Sequence, residues 1–73
     1  MQKNETKRLF KRYMLENYID SLRELSAMAG IEYRTFLMRM ENPDNFRSYE
    51  LKELDKILHF ATDDLIFLIR GSG

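Results

Sequence analysis

Apolar residues recur three and four positions apart through most of the chain, which is the spacing of helices that bury one face. No stretch shows the strict apolar-polar alternation of a strand, and helix breakers are scarce, with three Gly and one Pro. The pattern predicts an all-α domain of five short helices, which cover approximately residues 4–18, 22–29, 32 or 33–41, 49–58 and 63–70.

The inward-facing stripes of these helices supply the expected core. In the fifth helix, Leu65, Leu68 and Ile69 are expected to share the inward face. The other residues expected to point inward are Leu9, Phe10, Tyr13, Met14, Leu22, Leu25, Ser26, Ala29, Phe36, Met40, Leu51, Leu54, Ile57 and Leu58.

Capping signals support several of these helix boundaries. Ser21 and Glu24 match a capping box, in which the serine side chain accepts from an early backbone N–H and the glutamate reaches back. Gly30 is expected to end the second helix, because glycine adopts the left-handed conformation at low cost. Ser48 and Thr62 are the expected N-caps of the fourth and fifth helices.

Length and composition exclude several classes of protein. Seventy-three residues make one domain, expected at 1–70, followed by a short C-terminal tail at 71–73. The chain has no cysteine and one histidine, which excludes a disulfide scaffold and argues against a metal site, so no cofactor is expected. No apolar run approaches the roughly 18 residues that cross a membrane, and the N-terminus shows no apolar export signal, so a cytoplasmic protein is expected.

The charge is balanced overall but unevenly distributed. The 12 basic and 12 acidic side chains cancel, whereas residues 1–12 carry five basic side chains against one acidic. A dedicated nucleic-acid binder is often basic overall. A neutral molecule can nevertheless present one positive face to a partner.

The second and third predicted helices, joined by a turn at Gly30-Ile31-Glu32, have the layout of a helix-turn-helix. The stretch 22–31, Leu-Arg-Glu-Leu-Ser-Ala-Met-Ala-Gly-Ile, resembles the opening "L-x-x-L-A-x-x-x-G-I-S" of the Cro and phage-repressor type, or lambda repressor-like, helix-turn-helix family. Thr35-Phe36 stands where that family has a small polar residue and a core aliphatic, and Asn42-Pro43 replaces its usual Asn-Gly. The resemblance spans roughly residues 9–69.

The resemblance implies a compact lambda repressor-like domain whose third helix enters the major groove of double-stranded DNA. It implies a sequence-specific transcriptional regulator, similar to a small phage or mobile-element repressor or Cro protein. The candidates for reading bases are Tyr33, Arg34, Leu37 and Met38. The planar fork of Arg34 matches guanine O6 and N7, and the two apolar side chains suit thymine methyl groups.

Phosphate contacts position such a protein on DNA without reading the sequence. Helix N-termini and basic side chains both bind phosphate. In this sequence, two of the predicted helices have a basic side chain at or near their first residue. The phosphate candidates are Lys11, Ser21, Arg23, Arg39, Arg47 and Ser48.

The predicted fifth helix is apolar on all sides, and a helix at the rim of a small domain cannot bury every side. Phe67 is expected to project opposite the inward face, with Ile66 between the two. These two residues are the candidates for a homodimer contact, since symmetric dimers are the commonest closed assembly. Alternatively, residues 71–73 or Tyr49 cover them.

Two departures from the family favour a different function. Glu32 replaces the usual Ser or Thr at the start of the third helix; it can still cap the helix, but it would repel phosphate. Leu37 and Met38 stand where many relatives carry polar residues. The alternative is therefore a protein-protein interaction module on a helix-turn-helix scaffold that does not bind DNA.

The sequence contains no arrangement of residues that predicts catalysis or a small-molecule ligand. His59 has no second His or Cys to support a metal or catalytic role, and it falls where the fourth helix should end. Asp63 and Asp64 suit the positive N-terminal end of the fifth helix better than a metal site. An enzyme is not expected.

Overall fold

The computed structural model describes residues 3–70, and this part of the chain is helical with no strand. In chain order, its helices are α1 Lys3–Glu16, α2 Leu22–Ala29, α3 Tyr33–Glu41, α4 Ser48–Leu58 and α5 Thr62–Arg70. A single 3-10 turn, Pro43–Asn45, separates α3 from α4. The prediction of an all-α five-helix fold is confirmed, while the expected tail at 71–73 and the first two residues lie outside the described part.

Helix α1 ends at Glu16, two residues earlier than the pattern predicted. Tyr18 adopts the left-handed conformation, with φ 59°, and this reverses the chain direction. The Ile19 N–H donates to the Met14 carbonyl at 2.9 Å, which closes the helix end in the pattern usually built on glycine. Tyrosine is uncommon at such a position, so the sequence carried no recognisable stop signal there.

The turn between α2 and α3 follows the sequence signals closely. The Ser21 side chain accepts from the Glu24 N–H at 3.1 Å, whereas the Glu24 carboxylate accepts from the Asp20 N–H, one residue beyond the expected partner. Gly30 has φ 73° and ends α2 as predicted. The Ile31 N–H donates to the Ser26 carbonyl at 2.9 Å, and the Ile31 side chain is buried.

The starts of α4 and α5 differ slightly from the prediction. Ser48 and Thr62 are the first residues of their helices rather than N-caps. At α4 the Glu50 carboxylate accepts from the backbone N–H of Arg47 at 2.9 Å. His59 ends α4 in the left-handed conformation, with φ 57°, which confirms its expected place at a helix C-terminus.

The core is centred on the fully buried ring of Phe10 in α1. It contacts Phe36 of α3, Phe46 after the 3-10 turn and Phe60 before α5, with ring centroids 5.7 to 6.0 Å apart. Aromatic pairs at such distances add to the stabilisation from burial. The inward stripes predicted for α1 to α4 are buried or half-buried as expected.

Helix α5 matches the prediction in part: Leu65 and Leu68 pack against the core as expected, but Ile69 and Phe67 do not lie where they were expected. Ile69, expected to point inward, is 64% exposed, whereas Phe67, expected to project outward, is half-buried against the core. Asp64 accepts a hydrogen bond from the Tyr13 hydroxyl, which turns this side of α5 towards α1. Phe67 and Leu68 follow Asp64 by three and four residues, so they share its face and point inward.

Candidate nucleic-acid interface

Two side-chain contacts hold α3 between the starts of α2 and α4. The Arg23 guanidinium lies 4.1 Å above the ring centroid of Tyr33, which joins the first turn of α2 to the first turn of α3. The Arg39 Nε donates to the Glu50 carboxylate at 3.0 Å, which joins the last turn of α3 to the first turn of α4. Both ends of α3 are therefore fixed beside a helix N-terminus.

The outer face of α3 presents the cation of Arg34, two apolar side chains, and Glu41, which pairs with Lys7. Arg34 is exposed, Leu37 is 36% exposed and Met38 is 58% exposed. These residues are spaced by three and four positions and so lie on one side of the helix. Phe36 and Met40 are completely buried on the opposite side. Tyr33, the remaining base-reading candidate, is half-buried beneath Arg23.

Other polar side chains of α3 are bonded within the protein. The Thr35 hydroxyl donates to the Glu32 carboxylate at 3.0 Å, and Glu41 forms an ion pair with Lys7 at 3.4 Å. By contrast, no hydrogen bond or ion pair joins the exposed side chain of Arg34 to any residue between 3 and 70. Its donors are directed to solvent, where a partner can meet them.

The expectation that Arg39 binds phosphate is corrected by its burial. The Arg39 side chain is 15% exposed and pairs with Glu50, which is 2% exposed. Burial by itself raises the pKa of Glu50, but hydrogen bonds from Arg39 and from the Arg47 N–H outweigh it, so the pKa of Glu50 lies below its ordinary value. Arg39 neutralises a buried acid and is not free for a ligand.

Glu32 could have capped α3 with its carboxylate, but the structure shows that it does not. Glu32 occupies the N-cap position, but its carboxylate makes no hydrogen bond to a backbone N–H of the helix. It accepts from the Thr35 hydroxyl instead. The carboxylate is exposed at the N-terminal end of α3, where it remains an acidic group beside the outer face.

The other phosphate candidates lie at the two helix starts that flank α3. Ser21 and Arg23 are exposed at the start of α2, and Arg47 and Ser48 are exposed at the start of α4. Lys11 of α1 is exposed and borders a groove of about 400 Å³ that Ser21 also lines. The structure therefore brings Lys11 to the side of the domain where α2 begins.

The two candidates for a homodimer contact, Ile66 and Phe67, differ in their exposure. Ile66 is 42% exposed, while Phe67 is half-buried and packs against the core, so Phe67 is unsuited to a contact between molecules. Ile69 takes its place, because it is 64% exposed and lies three residues after Ile66 on the same side of α5.

Sequence reasoning missed Glu50, which links α3, α4 and the segment before α4. The sequence did contain a signal for it. Glu50 lies three residues after Arg47, the N-cap of α4, and a glutamate at that position is one half of a capping box. The Arg39 contact has no such local signal.

No group of three or more potential metal ligands occurs among residues 3–70, and none of the helices there is long and apolar enough to cross a membrane. Comparison of the chain with protein-family models, curated proteins and solved structures finds no match. The resemblance to lambda repressor-like proteins therefore stays a prediction from the sequence.

Proposed function

We propose that the protein is a sequence-specific, double-stranded DNA-binding transcriptional regulator of the cytoplasm, similar to small phage or mobile-element repressors and Cro proteins. In this proposal α2 and α3 form a helix-turn-helix and α3 enters the major groove. The observation that carries it is the fixed placement of α3, with Arg34, Leu37 and Met38 outward, between two helix starts that each carry an exposed arginine.

This arrangement suits the surface of duplex DNA. The major groove admits an α-helix, and its walls are phosphates. The starts of α2 and α4 offer backbone N–H groups and the side chains of Arg23 and Arg47, all of which suit phosphate. Arg34 offers two parallel donors to a guanine, so one part of the surface positions the domain while another reads the sequence.

The number of free cations predicts how strongly salt weakens binding. Arg23, Arg34 and Arg47 are exposed, whereas Arg39 is neutralised by Glu50. If Arg23 and Arg47 contact phosphates and Lys11 adds a third contact, log affinity should fall with log salt with a slope of about −3 per protomer. That slope is modest, as expected for a chain of zero formal net charge.

A homodimer would place two copies of α3 on one face of the duplex, about one helical turn apart. We propose that the contact is formed by Ile66 and Ile69, the exposed apolar residues of α5. Sedimentation of the protein against an Ile69→Lys variant tests this contact. The variant should remain monomeric at concentrations where the unmodified chain associates.

One observation favours the second candidate function, a protein-protein interaction module. Leu37 and Met38 of α3 are exposed apolar residues, and Met28 of α2 is 51% exposed. Exposed apolar groups of this kind suit a protein partner as well as a groove. This alternative predicts no salt-dependent affinity for any duplex.

The test measures binding to fluorescent duplexes by anisotropy for Arg34→Ala and for a matched control, Lys56→Ala. Lys56 is an exposed cation near the end of α4, away from the proposed surface, and removing it changes the net charge equally. Arg34→Ala should lose about 1–3 kcal/mol on the preferred sequence and relax discrimination at one base pair, while Lys56→Ala should change little. Equal effects of the two variants, or no binding at low salt, would contradict the proposal.

A further inference from the structure

The outer face of α3 is poor in hydrogen-bonding groups for a surface that reads bases. Thr35 is bonded to Glu32, and Arg39 is bonded to Glu50. Arg34 is therefore the exposed hydrogen-bond donor on this face, beside the half-buried Tyr33. The neighbouring Leu37 and Met38 are apolar, and the exposed Glu41 is paired with Lys7. This composition leaves few hydrogen bonds for the direct readout of bases.

Apolar side chains can still read the major groove, because the C5 methyl group is an apolar feature of base edges there. Thymine carries it, and 5-methylcytosine carries it at the same ring position. Leu37 and Met38 are 36% and 58% exposed, so each has apolar surface that a methyl group can cover. Arg34 on the same helical face fixes the position of these side chains relative to a guanine.

We infer that Leu37 and Met38 read C5 methyl groups beside a guanine held by Arg34, an inference that rests on the proposed DNA binding. The spacing follows from helix geometry. Leu37 and Met38 follow Arg34 by about 4.5 and 6 Å along the helix axis. Successive base pairs are about 3.4 Å apart, so for a helix lying along the groove the methyl groups fall one or two steps from the guanine.

The test begins with selection of preferred duplexes from a randomised library. Each thymine of the selected duplex is then replaced by deoxyuridine, which removes the methyl group and leaves the base-pairing groups unchanged. The protein should bind about fourfold more weakly for each contacted methyl group that is lost. The sensitive thymines should lie one or two base-pair steps from one particular guanine. Replacing that guanine should weaken binding of the unmodified protein but not of the Arg34→Ala variant.

Side-chain variants assign the effect to residues. In Met38→Ala or Leu37→Ala, deoxyuridine at one of the sensitive positions should have no further effect. Met28→Ala is the matched control, because Met28 is also an exposed methionine but lies on α2. It should keep the full sensitivity to deoxyuridine. All three variants alter exposed side chains, and circular dichroism checks that their helix content is unchanged.

A second pair of duplexes separates the two sources of the methyl group. The sensitive T·A pair is replaced by C·G or by 5-methylcytosine·G. If the duplex with 5-methylcytosine·G binds about fourfold more tightly than the duplex with C·G, the protein recognises the methyl group on either base. If the two duplexes bind equally, recognition of the methyl group is limited to thymine.

The outcomes also separate this inference from the proposed function. Duplex binding that weakens with salt but is indifferent to deoxyuridine at every position would overturn methyl reading and leave DNA binding in place. The same holds if Met28→Ala removes the sensitivity as fully as Met38→Ala. Absence of binding to any duplex at low salt would overturn the proposed function and the inference together.

Discussion

The hydroxyl of Tyr13 donates to a carboxylate oxygen of Asp64 at 2.5 Å, across 51 positions of sequence. The same hydroxyl oxygen accepts from the Ala61 N–H at 2.9 Å. One side chain of α1 therefore bonds both to the residue before α5 and to its first turn. This contact fixes which face of α5 meets the core, and it leaves Ile66 and Ile69 outside.

Tyr13→Phe should destabilise the domain by roughly 1.5–3 kcal/mol, because it removes a bond to a charged acceptor and leaves the Ala61 N–H without its partner. Urea denaturation measures the change. Tyr49→Phe is the matched control, since Tyr49 is 63% exposed, and it should change stability by less than about 0.5 kcal/mol. Equal losses in the two variants would mean that the Tyr13 hydroxyl does not hold α5.

The Glu50 carboxylate makes stability depend on pH in the acid range. Its pKa lies below the ordinary value of 4.5 because the bonds from Arg39 and the Arg47 N–H outweigh the opposing effect of burial. The unfolded chain therefore binds this proton more readily than the folded chain. The stabilisation is complete above the unfolded pKa and is lost as pH falls through the folded pKa.

Glu50→Gln should remove most of this dependence and cost roughly 2–4 kcal/mol at pH 7, because Arg39 loses its buried partner. Denaturation at several pH values measures it, with Glu53→Gln as control, since Glu53 forms an exposed pair with Lys56. The difference between the unmodified chain and Glu50→Gln should shrink as pH falls below about 4.5. A constant difference down to acid pH would show that the carboxylate charge contributes nothing.

Tyr18→Gly should stabilise the domain by roughly 0.5–1 kcal/mol. Tyr18 is 91% exposed and adopts φ 59°, so glycine relieves the left-handed conformation and loses little contact. Gly30→Ala is the converse substitution at φ 73°, where an added Cβ meets no atom within 4 Å. It should cost roughly 1–2 kcal/mol from backbone conformation alone. Thermal melts that order the two variants oppositely would contradict this interpretation.

Whether a structural feature could be predicted depends on how far apart in the sequence the interacting residues lie. The turn between α2 and α3 was predicted well because Ser21 and Gly30 act on their immediate neighbours. The places of Ile69 and Phe67 on α5 were predicted wrongly, because they depend on the contact between Asp64 and Tyr13. Tyr13 lies far away in the sequence, so a local pattern cannot contain that contact. The end of α1 was missed because Tyr18 occupies a position that glycine usually marks.

The same reasoning applies to the candidate interface. A rotation of 100° per residue placed Arg34, Met38 and Glu41 away from the core, and all three are exposed. It placed Tyr33 and Leu37 on the flank, where Tyr33 is half-buried and Leu37 is 36% exposed. It could not show that Arg39 is paired, because its partner Glu50 lies in another helix. Periodicity assigns a side chain to a face, whereas its partners depend on how the helices pack.

The most direct measurement of the central claim is an NMR amide titration of the protein with a short mixed-sequence duplex, first at low and then at physiological salt. Shifts clustered on residues 21–24, 32–39 and 45–48 that weaken with salt are the predicted result, since phosphate contacts release counterions. A titration that leaves these amides unchanged at low salt would contradict DNA binding. The titration would then turn to protein partners of the exposed Leu37 and Met38 surface.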